Sequence, residues 1–495
     1  MKQEQGKTDN SYKEIFKSTT LVGGSQVLNI LIGIIRTKAI ALFLGLDGVG
    51  LMGMYQSIIS VLGNVFGLGI GNSGVRQVAE KVAVGDTTRI ARTVKILTGL
   101  SWVLGLIGMF LTIVLSSRLS VWTFGDESHS AAIVLLSGTL LFSTVTTAYS
   151  AVLQGMRRIS DIAKITVIGA FLGTVFSLPI IYVWHQKAIV PALVVIAFMA
   201  MVPVFFFYKK LKFEFVALTL TDIIHEARGL LSLGFVFMYT GVLYTLVTYL
   251  VRVLVIRRLG IESVGLYQAV ITLSSLYINI ILNAMGMDYY PRLTAVATDN
   301  TTVNRLVNEQ TLIGMLLAAP GILATLTFTP FVISVFYSTE FIPAYDVLRW
   351  QVLGVFLRVI SWPISYVLLA KGKGIAFFVT ETIWNVLYLI TSWLGLKMFG
   401  LVGVGIAFFV MYGFYLIMIY LVVNRMTRFC WDSSNIRIGL GVLACIAIVF
   451  VSFYILPGKM SSGLNIVLMA IVSALCLKKV YSLVGVKWLN QWFRK

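Results

Sequence analysis

A series of long apolar runs, separated by short polar connections, restricts the fold of this chain more than any other feature. About 20 apolar residues cross the hydrocarbon core of a bilayer as a helix. Hydrophobic residues make up 58% of the chain and charged residues only 12%, whereas about a quarter of a soluble domain is charged. The sequence therefore predicts an all-α polytopic membrane protein with about 14 transmembrane helices. The fourteen runs are residues 18–43, 50–74, 93–116, 130–153, 162–184, 188–208, 230–257, 264–289, 308–330, 345–369, 374–395, 399–423, 436–456 and 461–483.

An internal repeat divides the chain into two related halves. Residues 44–51 read LGLDGVGL and residues 259–266 read LGIESVGL, so five of eight positions are identical at an offset of 215. The same offset relates Asn64 to Asn279. Each copy follows a long apolar run with a late basic residue and precedes another, which predicts a helix–short turn–helix unit. Because the offset separates six helices from six, an even number, the repeats are expected to run parallel in the membrane.

The repeat predicts two six-helix bundles with pseudo-two-fold symmetry around a central cavity. Two accessory helices at the end of the chain have no counterpart in the first half. The tail that follows them mixes Trp with Lys and Arg at helical spacing, which is typical of an interfacial anchor. The predicted domains are a cytoplasmic N-terminal segment at 1–17, an N-terminal bundle at 18–210, a cytoplasmic linker at 211–229, a C-terminal bundle at 230–424, accessory helices at 436–483 and the interfacial tail at 484–495.

The distribution of Lys and Arg predicts the orientation of the chain. With the N-terminus inside, 28 of the 39 basic residues fall in inner segments and 6 in outer loops. This is the bias of the positive-inside rule, so both termini are expected in the cytoplasm. The net charge of +19 would indicate nucleic acid in a soluble protein. Here the loop bias explains the charge, and no nucleic-acid partner is expected.

Basic residues inside the apolar runs are the main candidates for a binding function, because a charge in mid-bilayer is costly. Arg36 and Arg252 occupy matching places in the first and seventh runs, and Arg358 lies deep in the tenth. Such arginines suit a cavity that receives an anion. The alternative for the matched pair is that the long side chains reach out to the membrane surface. Lys38 lies on a different side of its helix from Arg36. Arg258, at the end of the seventh run, is also explained as an interfacial anchor.

Acidic and amide side chains inside the runs are scarcer. Glu381 in the eleventh run and Asp288 at the inner end of the eighth are candidates for binding a coupling ion. Each is equally explained as the structural partner of a buried Arg. Asn64 and Asn279 are placed to line a cavity, although hydrogen bonding between helices is the commoner role of such amides.

No catalytic constellation stands out, so the chain is not expected to be an enzyme. The sequence contains no nucleotide-binding or nucleophile motif, and its three cysteines (Cys430, Cys445 and Cys476) have no paired spacing. They predict free thiols and no metal site, and no cofactor is expected. Asp346 and Arg349 stand three residues apart, which predicts an ion pair along one helix face.

Three blocks of sequence resemble O-antigen translocases, the Wzx-type flippases of lipid-linked oligosaccharides. These belong to the polysaccharide transport family of the multidrug/oligosaccharidyl-lipid/polysaccharide exporter superfamily. The resemblance covers essentially the whole chain, and the order of the blocks agrees with the family. The blocks read LGLDGVGLMGMYQSI, GLGIGNSGVRQVAE and FYSTEFIPAYDVLRWQVLGVFLRVISWPISYVLLAKGKG.

The resemblance implies a substrate, a place and partners. The substrate is an undecaprenyl-pyrophosphate carrying an oligosaccharide repeat unit, moved by alternating access from the inner to the outer leaflet of the bacterial inner membrane. The partners implied are membrane lipids, a polysaccharide polymerase and a chain-length regulator. Family members carry basic residues in the central cavity, and Lys38, Arg252, Arg258 and Arg358 stand at or near the corresponding positions.

Other functions remain open at the level of sequence. The two accessory helices exceed the family's usual twelve, which keeps a fourteen-span lipid II-type flippase in consideration. A small-molecule exporter of the same superfamily is a second alternative, although a carrier of cationic drugs would favour acidic residues. A membrane polysaccharide polymerase or assembly component would need a sizeable outer loop, and the longest here is short, around residues 117–130.

Overall fold

The computed structural model describes the backbone of residues 2–211, 213 and 219–484. Every regular element in this part of the chain is helical, which confirms the all-α prediction. The chain divides into two compact units, Met1–Gly265 and Leu266–Lys495. The predicted interfacial tail at 484–495 lies almost entirely outside the described residues. The boundaries predicted for the two bundles remain a prediction.

Among its described residues, the first unit contains eight α-helices and the first residues of a ninth. A short 3-10 helix, His185–Ala188, joins α6 to α7. The helices are α1 (Lys2–Gly67), α2 (Ile70–Val84), α3 (Thr87–Val114), α4 (Ser116–Thr123), α5 (Ser130–Gly155), α6 (Ile159–Trp184), α7 (Ile189–Lys209) and α8 (Leu220–Leu259).

The second unit holds the remaining helices. Another 3-10 helix, Thr339–Ala344, precedes α12. The helices are α9 (Ile261–Ala295), α10 (Asn300–Thr327), α11 (Thr329–Phe336), α12 (Tyr345–Ala370), α13 (Gly374–Phe399), α14 (Val402–Thr427), α15 (Ser433–Ile455) and α16 (Gly458–Val484).

Ten stretches of described residues are long and apolar enough to cross a membrane. Two of them contain an internal break. The stretch Gly24–Gly67 has a non-helical residue at Gly45, and the stretch Ile159–Lys209 contains the 3-10 helix between α6 and α7. The chain is therefore a multi-pass membrane protein, and the total of about 14 helices stays a prediction.

Both copies of the repeated motif form the predicted turn between two helices. Gly45 has φ 64° and interrupts α1, and Gly260 has φ 84° and separates α8 from α9. The two glycines stand at the same position of the motif, 215 residues apart. Glycine adopts positive φ at little cost because it has no Cβ. The sequence repeat is thus matched by the same local backbone break in both copies.

A second pair of motif glycines allows close helix contact. A Cβ added at Gly50 would collide with the carbonyl oxygen of Ile261 and would lie 2.9 Å from the amide nitrogen of Gly265. A Cβ added at Gly265 would collide with the carbonyl oxygen of Leu46 and would lie 3.3 Å from the amide nitrogen of Gly50. The two copies therefore pack backbone against backbone, and each glycine makes room for the other.

In the second unit, α12 packs against α10 and α14, and α15 and α16 pack against α10. Arg349 of α12 is only 5% exposed. Its guanidinium carbon lies 3.7 Å from the centre of the Phe453 ring of α15, and its Nη1 lies 3.7 Å from Asp346 Oδ1. Tyr454 Oη donates to the same Asp346 oxygen at 3.1 Å. The predicted Asp346–Arg349 pair is present, and it ties the accessory helix α15 to α12.

We predict that Gly50→Ala lowers the stability of the protein by about 1–3 kcal/mol, the usual cost of overpacking a close contact. The added methyl group has no room against the backbone of residues 261–265. Thermal unfolding in detergent, followed by tryptophan fluorescence, measures the change. Gly138→Ala in α5 is the matched control, because no heavy atom lies within 4 Å of the added Cβ. Equal unfolding temperatures for the two variants would contradict the close contact.

Candidate functional site

Arg252 is a buried cation of the first unit. It lies on α8 and is 8% exposed, whereas Arg36 and Lys38 on α1 are partly buried. Arg258, near the end of α8, is exposed. Its neighbour Arg257 donates from Nη2 to the carbonyl oxygens of Val121 and Trp122. Among the basic residues predicted for this unit, Arg252 is therefore the one held most completely inside the protein.

In the second unit the structure brings together two residues that the sequence suggested separately. Glu381 of α13 lies close enough to Arg358 of α12 for an electrostatic interaction. Tyr415 of α14 donates from Oη to Glu381 Oε1 at 2.5 Å, and Asn385 Nδ2 donates to the backbone carbonyl of Glu381 at 2.9 Å. α13 and α14 therefore meet at the Glu381–Tyr415 hydrogen bond, and Arg358 of α12 acts electrostatically on the same carboxylate. These three residues are defined here as the cluster of the second unit. Sequence reasoning missed Tyr415, because a tyrosine in an apolar run carries no signal of its partner.

Aromatic rings surround this cluster. Trp384 stacks on Tyr388 with ring centres 5.4 Å apart, and Tyr412 lies 5.1 Å from Trp384. Trp384 is 5% exposed and Asn385 is 2% exposed. Within the described part of the chain, Trp384 Nε1 and Asn385 Oδ1 have no hydrogen-bond partner. The surroundings of Glu381 are thus mostly apolar, with a few isolated polar atoms. Electrostatic interactions are stronger in such surroundings than in water, because the local dielectric constant is lower.

Two other residues predicted from the sequence lie on α9. The side chain of Asn279 is exposed. The side chain of Asp288 lies outside the described residues, so its predicted role in binding a coupling ion stays a prediction.

Asn64 lines a cavity of about 420 Å³ in the first unit. Its Nδ2 donates to the carbonyl oxygen of Ser60 at 2.9 Å and to Thr245 Oγ1 of α8 at 3.5 Å. The cavity is formed by residues of α1, α2, α5 and α8 together with Gly69 between α1 and α2. Asn64 therefore lines a cavity, its predicted role in binding the substrate stays a prediction, and Thr245 is a partner that sequence reasoning missed.

A second cavity of about 710 Å³ lies at the start of α13. Its walls are mostly apolar, from Ile375, Val379 and Val422, and its one basic residue is Lys373. The neighbouring Lys371 is engaged elsewhere, because its Nζ donates to the carbonyl oxygen of Ala297 and to Asn300 Oδ1. This cavity is apolar, in contrast to the one in the first unit.

Outside the membrane-spanning helices, titratable groups meet in the loop between α4 and α5. His129 Nδ1 and Tyr55 Oη are hydrogen-bonded at 2.8 Å, and the His129 ring stacks on Phe124 with centres 3.8 Å apart. Burial lowers the pKa of His129, and nearby Asp126 opposes the shift. Hydrogen bonds from Ser128 lower the pKa of Asp126. The loop is therefore arranged to hold a neutral imidazole beside an ionised carboxylate.

The all-helical architecture is that of a known class of membrane transporters. It is similar to an inward-facing multidrug resistance MATE family transporter of the MOP superfamily, with a TM-score of 0.70 and 15% identity over 81% of this chain and 94% of that one. It is also similar to the lipid II flippase MurJ in an inward closed conformation, with a TM-score of 0.69 and 14% identity over 95% of this chain and 100% of that one. At such identities the likeness shows the fold.

The sequence itself identifies the family. A model described as polysaccharide biosynthesis protein matches residues 15–296, so the chain belongs to that family. It is also 23% identical over 395 residues to the lipid III flippase of Escherichia coli strain K12, which covers 76% of this chain and 91% of the relative. The resemblance drawn from the three sequence blocks is thereby confirmed at the level of the polysaccharide family.

We predict that the loop histidine makes stability depend on pH. The folded-state pKa of His129 lies below its ordinary value of 6.5, so the unfolded chain binds more protons between the two pKa values. The contribution of the neutral His129 to the free energy of unfolding is fully present above pH 6.5, and it is lost as pH falls through the folded-state pKa. His129→Gln should flatten this part of the profile of unfolding temperature against pH. His185→Gln, at an exposed imidazole, is the control and should keep the wild-type profile. An unchanged profile for His129→Gln would contradict the assignment.

Proposed function

We propose that this protein is a flippase for an undecaprenyl-pyrophosphate-linked oligosaccharide, an O-antigen or similar surface polysaccharide repeat unit. It would move this lipid from the inner to the outer leaflet of the bacterial inner membrane. The observation that carries the proposal is the similarity to a lipid III flippase along 91% of that relative's length. The membership of a polysaccharide family and the fold shared with a lipid II flippase support it.

The charged residues supply a physical basis for this function. A pyrophosphate carries negative charge that hydrocarbon does not accept, and Arg can replace its hydration by bidentate hydrogen bonds. Arg252 is buried in the first unit, and Arg358 is partly buried in the second. We assign both to the pyrophosphate. Arg36, Lys38 and Arg258 remain candidates for the same basic lining.

The cluster in the second unit suggests how an ion would be coupled to transport. Arg358 interacts electrostatically with Glu381, and a bound pyrophosphate would compete with the carboxylate for the guanidinium group. When the pyrophosphate displaces the carboxylate from Arg358, Glu381 loses its countercharge. Binding of a proton or sodium ion to Glu381 then becomes more favourable. Tyr415 keeps the carboxylate in place through its hydrogen bond. The mechanism is alternating access, in which the pyrophosphate and the Glu381 carboxylate interact with Arg358 in turn.

A lipid II-type carrier is the second candidate. The similarity to the lipid II flippase MurJ extends over 95% of this chain, and the accessory helices α15 and α16 complete the predicted set of fourteen. The two candidates differ in the saccharide that the lipid carries. Complementation of strains that lack one or the other flippase distinguishes them.

We predict that Arg252→Ala and Arg358→Ala each reduce translocation at least about tenfold. Loss of a charge-assisted hydrogen bond costs about 1.5–3 kcal/mol, and each 1.4 kcal/mol is a factor of ten. The assay measures lipid-linked oligosaccharide on each membrane face in a strain without its own flippase. Accumulation on the cytoplasmic face is expected, together with loss of surface polysaccharide.

The matched control for the arginine variants is Arg305→Ala. Arg305 is exposed and pairs with Glu309 one turn away, so its loss should leave translocation unchanged. Size-exclusion profiles establish that each variant is folded and inserted. Normal surface polysaccharide in both the Arg252 and Arg358 variants would defeat the pyrophosphate assignment.

We predict that Glu381→Gln separates translocation from the ion gradient. Gln keeps an oxygen that accepts the hydrogen bond from Tyr415, so the packing of α13 on α14 is retained, while the titrating carboxylate is lost. In proteoliposomes the wild type should respond to an imposed proton or sodium gradient, and the variant should not. Glu309→Gln, at an exposed carboxylate, should respond like the wild type. A variant that keeps the full gradient response would refute the coupling role.

A further inference from the structure

The cavity in the first unit has a polar but uncharged wall. Its described lining consists of seven side chains with a hydroxyl or amide group, four glycines and two isoleucines. In a chain with a net charge of +19, these lining residues include no charged side chain. The polar groups come from four helices, and those used below are Ser60, Asn64, Asn72, Ser143, Thr147 and Thr245.

The hydroxyl groups of this wall are oriented as acceptors. Ser60 Oγ donates to the carbonyl oxygen of Gln56 at 2.7 Å, and Thr147 Oγ1 donates to that of Ser143 at 2.8 Å. Thr245 Oγ1 likewise donates to the carbonyl oxygen of Gly241 at 2.8 Å. Each hydroxyl has one hydrogen and two lone pairs, so its donor is used within its own helix and its oxygen remains able to accept. These three hydroxyl groups therefore favour a ligand that brings its own hydrogen-bond donors.

The break between α1 and α2 adds backbone groups to the same cavity. Leu68 and Gly69 adopt positive φ of 45° and 64°, and Gly67, Gly69 and Gly71 all line the cavity. The last carbonyls of one helix and the first N–H groups of the next lack intrahelical partners. Near a membrane, such groups are tolerated where they face water or a polar ligand. Asn72, on the first turn of α2, is exposed and supplies an amide that both donates and accepts.

The size and charge of the cavity select a class of ligand. Its volume of about 420 Å³ is more than ten times the roughly 30 Å³ that one water occupies, which is too large for a single ion. It falls within the range of about 300–1,000 Å³ found for pockets that hold small molecules. A phosphate diester or a carboxylate carries no hydrogen-bond donor at neutral pH, and the lining residues include no cation to neutralise its charge. A neutral sugar carries many hydroxyl donors and meets both conditions.

We propose that this cavity is a binding site for an uncharged sugar residue, the glycan subsite of the carrier. This assignment rests on the proposed flippase function and adds to it that the sugar and the pyrophosphate are bound by different groups. Thr245 and Asn64, joined across α1 and α8, and Ser143 and Thr147 on α5 provide the acceptors. The pyrophosphate would be bound by the arginines.

The test measures sugar binding to the purified full-length protein in nanodiscs by saturation-transfer NMR. The probes are N-acetylglucosamine and glucose, with inorganic pyrophosphate as competitor. The wild type should bind a neutral sugar, and pyrophosphate should not displace it. Thr245→Val and Thr147→Val remove one acceptor each without changing side-chain size, and each should weaken binding about tenfold, the effect of about one hydrogen bond. Because Thr245 and Thr147 lie on different helices, the test remains valid if one of the two variants does not fold.

The matched control is Thr248→Val on the same helix as Thr245. Thr248 Oγ1 donates to its own helix at Tyr244 but does not line the cavity, so sugar binding should be unchanged. Absence of sugar binding, equal binding in all variants, or displacement by pyrophosphate would each overturn the proposal.

Failure of the glycan subsite is distinguishable from failure of the flippase assignment. If the threonine variants keep wild-type sugar binding and translocation while Arg358→Ala loses translocation, the subsite is wrong and the proposed function stands. If deletion of the protein leaves no lipid-linked oligosaccharide on the cytoplasmic face, the flippase assignment is wrong whatever the sugar binding shows.

Discussion

Close contact between helices at glycine residues is the constraint on which the helix packing depends. Lipid tails are as apolar as leucine, so helices in a bilayer associate by van der Waals packing and hydrogen bonds, and small residues favour close approach. Gly50 and Gly265 meet in this way in the first unit. Gly395 of α13 and Gly403 of α14 meet in the second, because a Cβ on either would collide with the carbonyl oxygen of the other. The same kind of close contact between glycines therefore occurs in both units.

These contacts decide which side chains reach one another. A further glycine contact joins Gly69, after α1, to Gly234 in α8, and the same two helices place Asn64 beside Thr245. The glycine contact between α13 and α14 belongs to the helix pair that carries Glu381 and Tyr415. Short polar side chains bridge two helices only when the helix axes are close. The glycines thus set the distance across which these hydrogen bonds form.

The sequence predicted the local features of the fold better than its long-range pairs. The turn glycines at 45 and 260 follow from the repeated motif, and the Asp346–Arg349 pair follows from helix periodicity. The partners of Asn64 and Glu381 do not, because Thr245 lies 181 residues from Asn64 and Tyr415 lies 34 residues from Glu381. Thr and Tyr are ordinary residues of apolar helices, so only the packing reveals their roles. The sequence alone identified each arginine as a candidate site residue, because a charge in an apolar run is rare.

A carrier must release what it binds, and the arrangement around Arg358 addresses this requirement. A buried guanidinium with no countercharge would hold a pyrophosphate strongly, because charges interact strongly at low dielectric. Glu381 interacts electrostatically with the partly buried Arg358, so under the proposed function departure of the phosphate would leave this cation with a carboxylate as an alternative partner. Under the proposed function, uncharged hydrogen bonds to the sugar add selectivity, since each contributes only about 0.5–1.5 kcal/mol. Strong but exchangeable binding of the charge, combined with weak binding of the glycan, is what repeated loading and release requires.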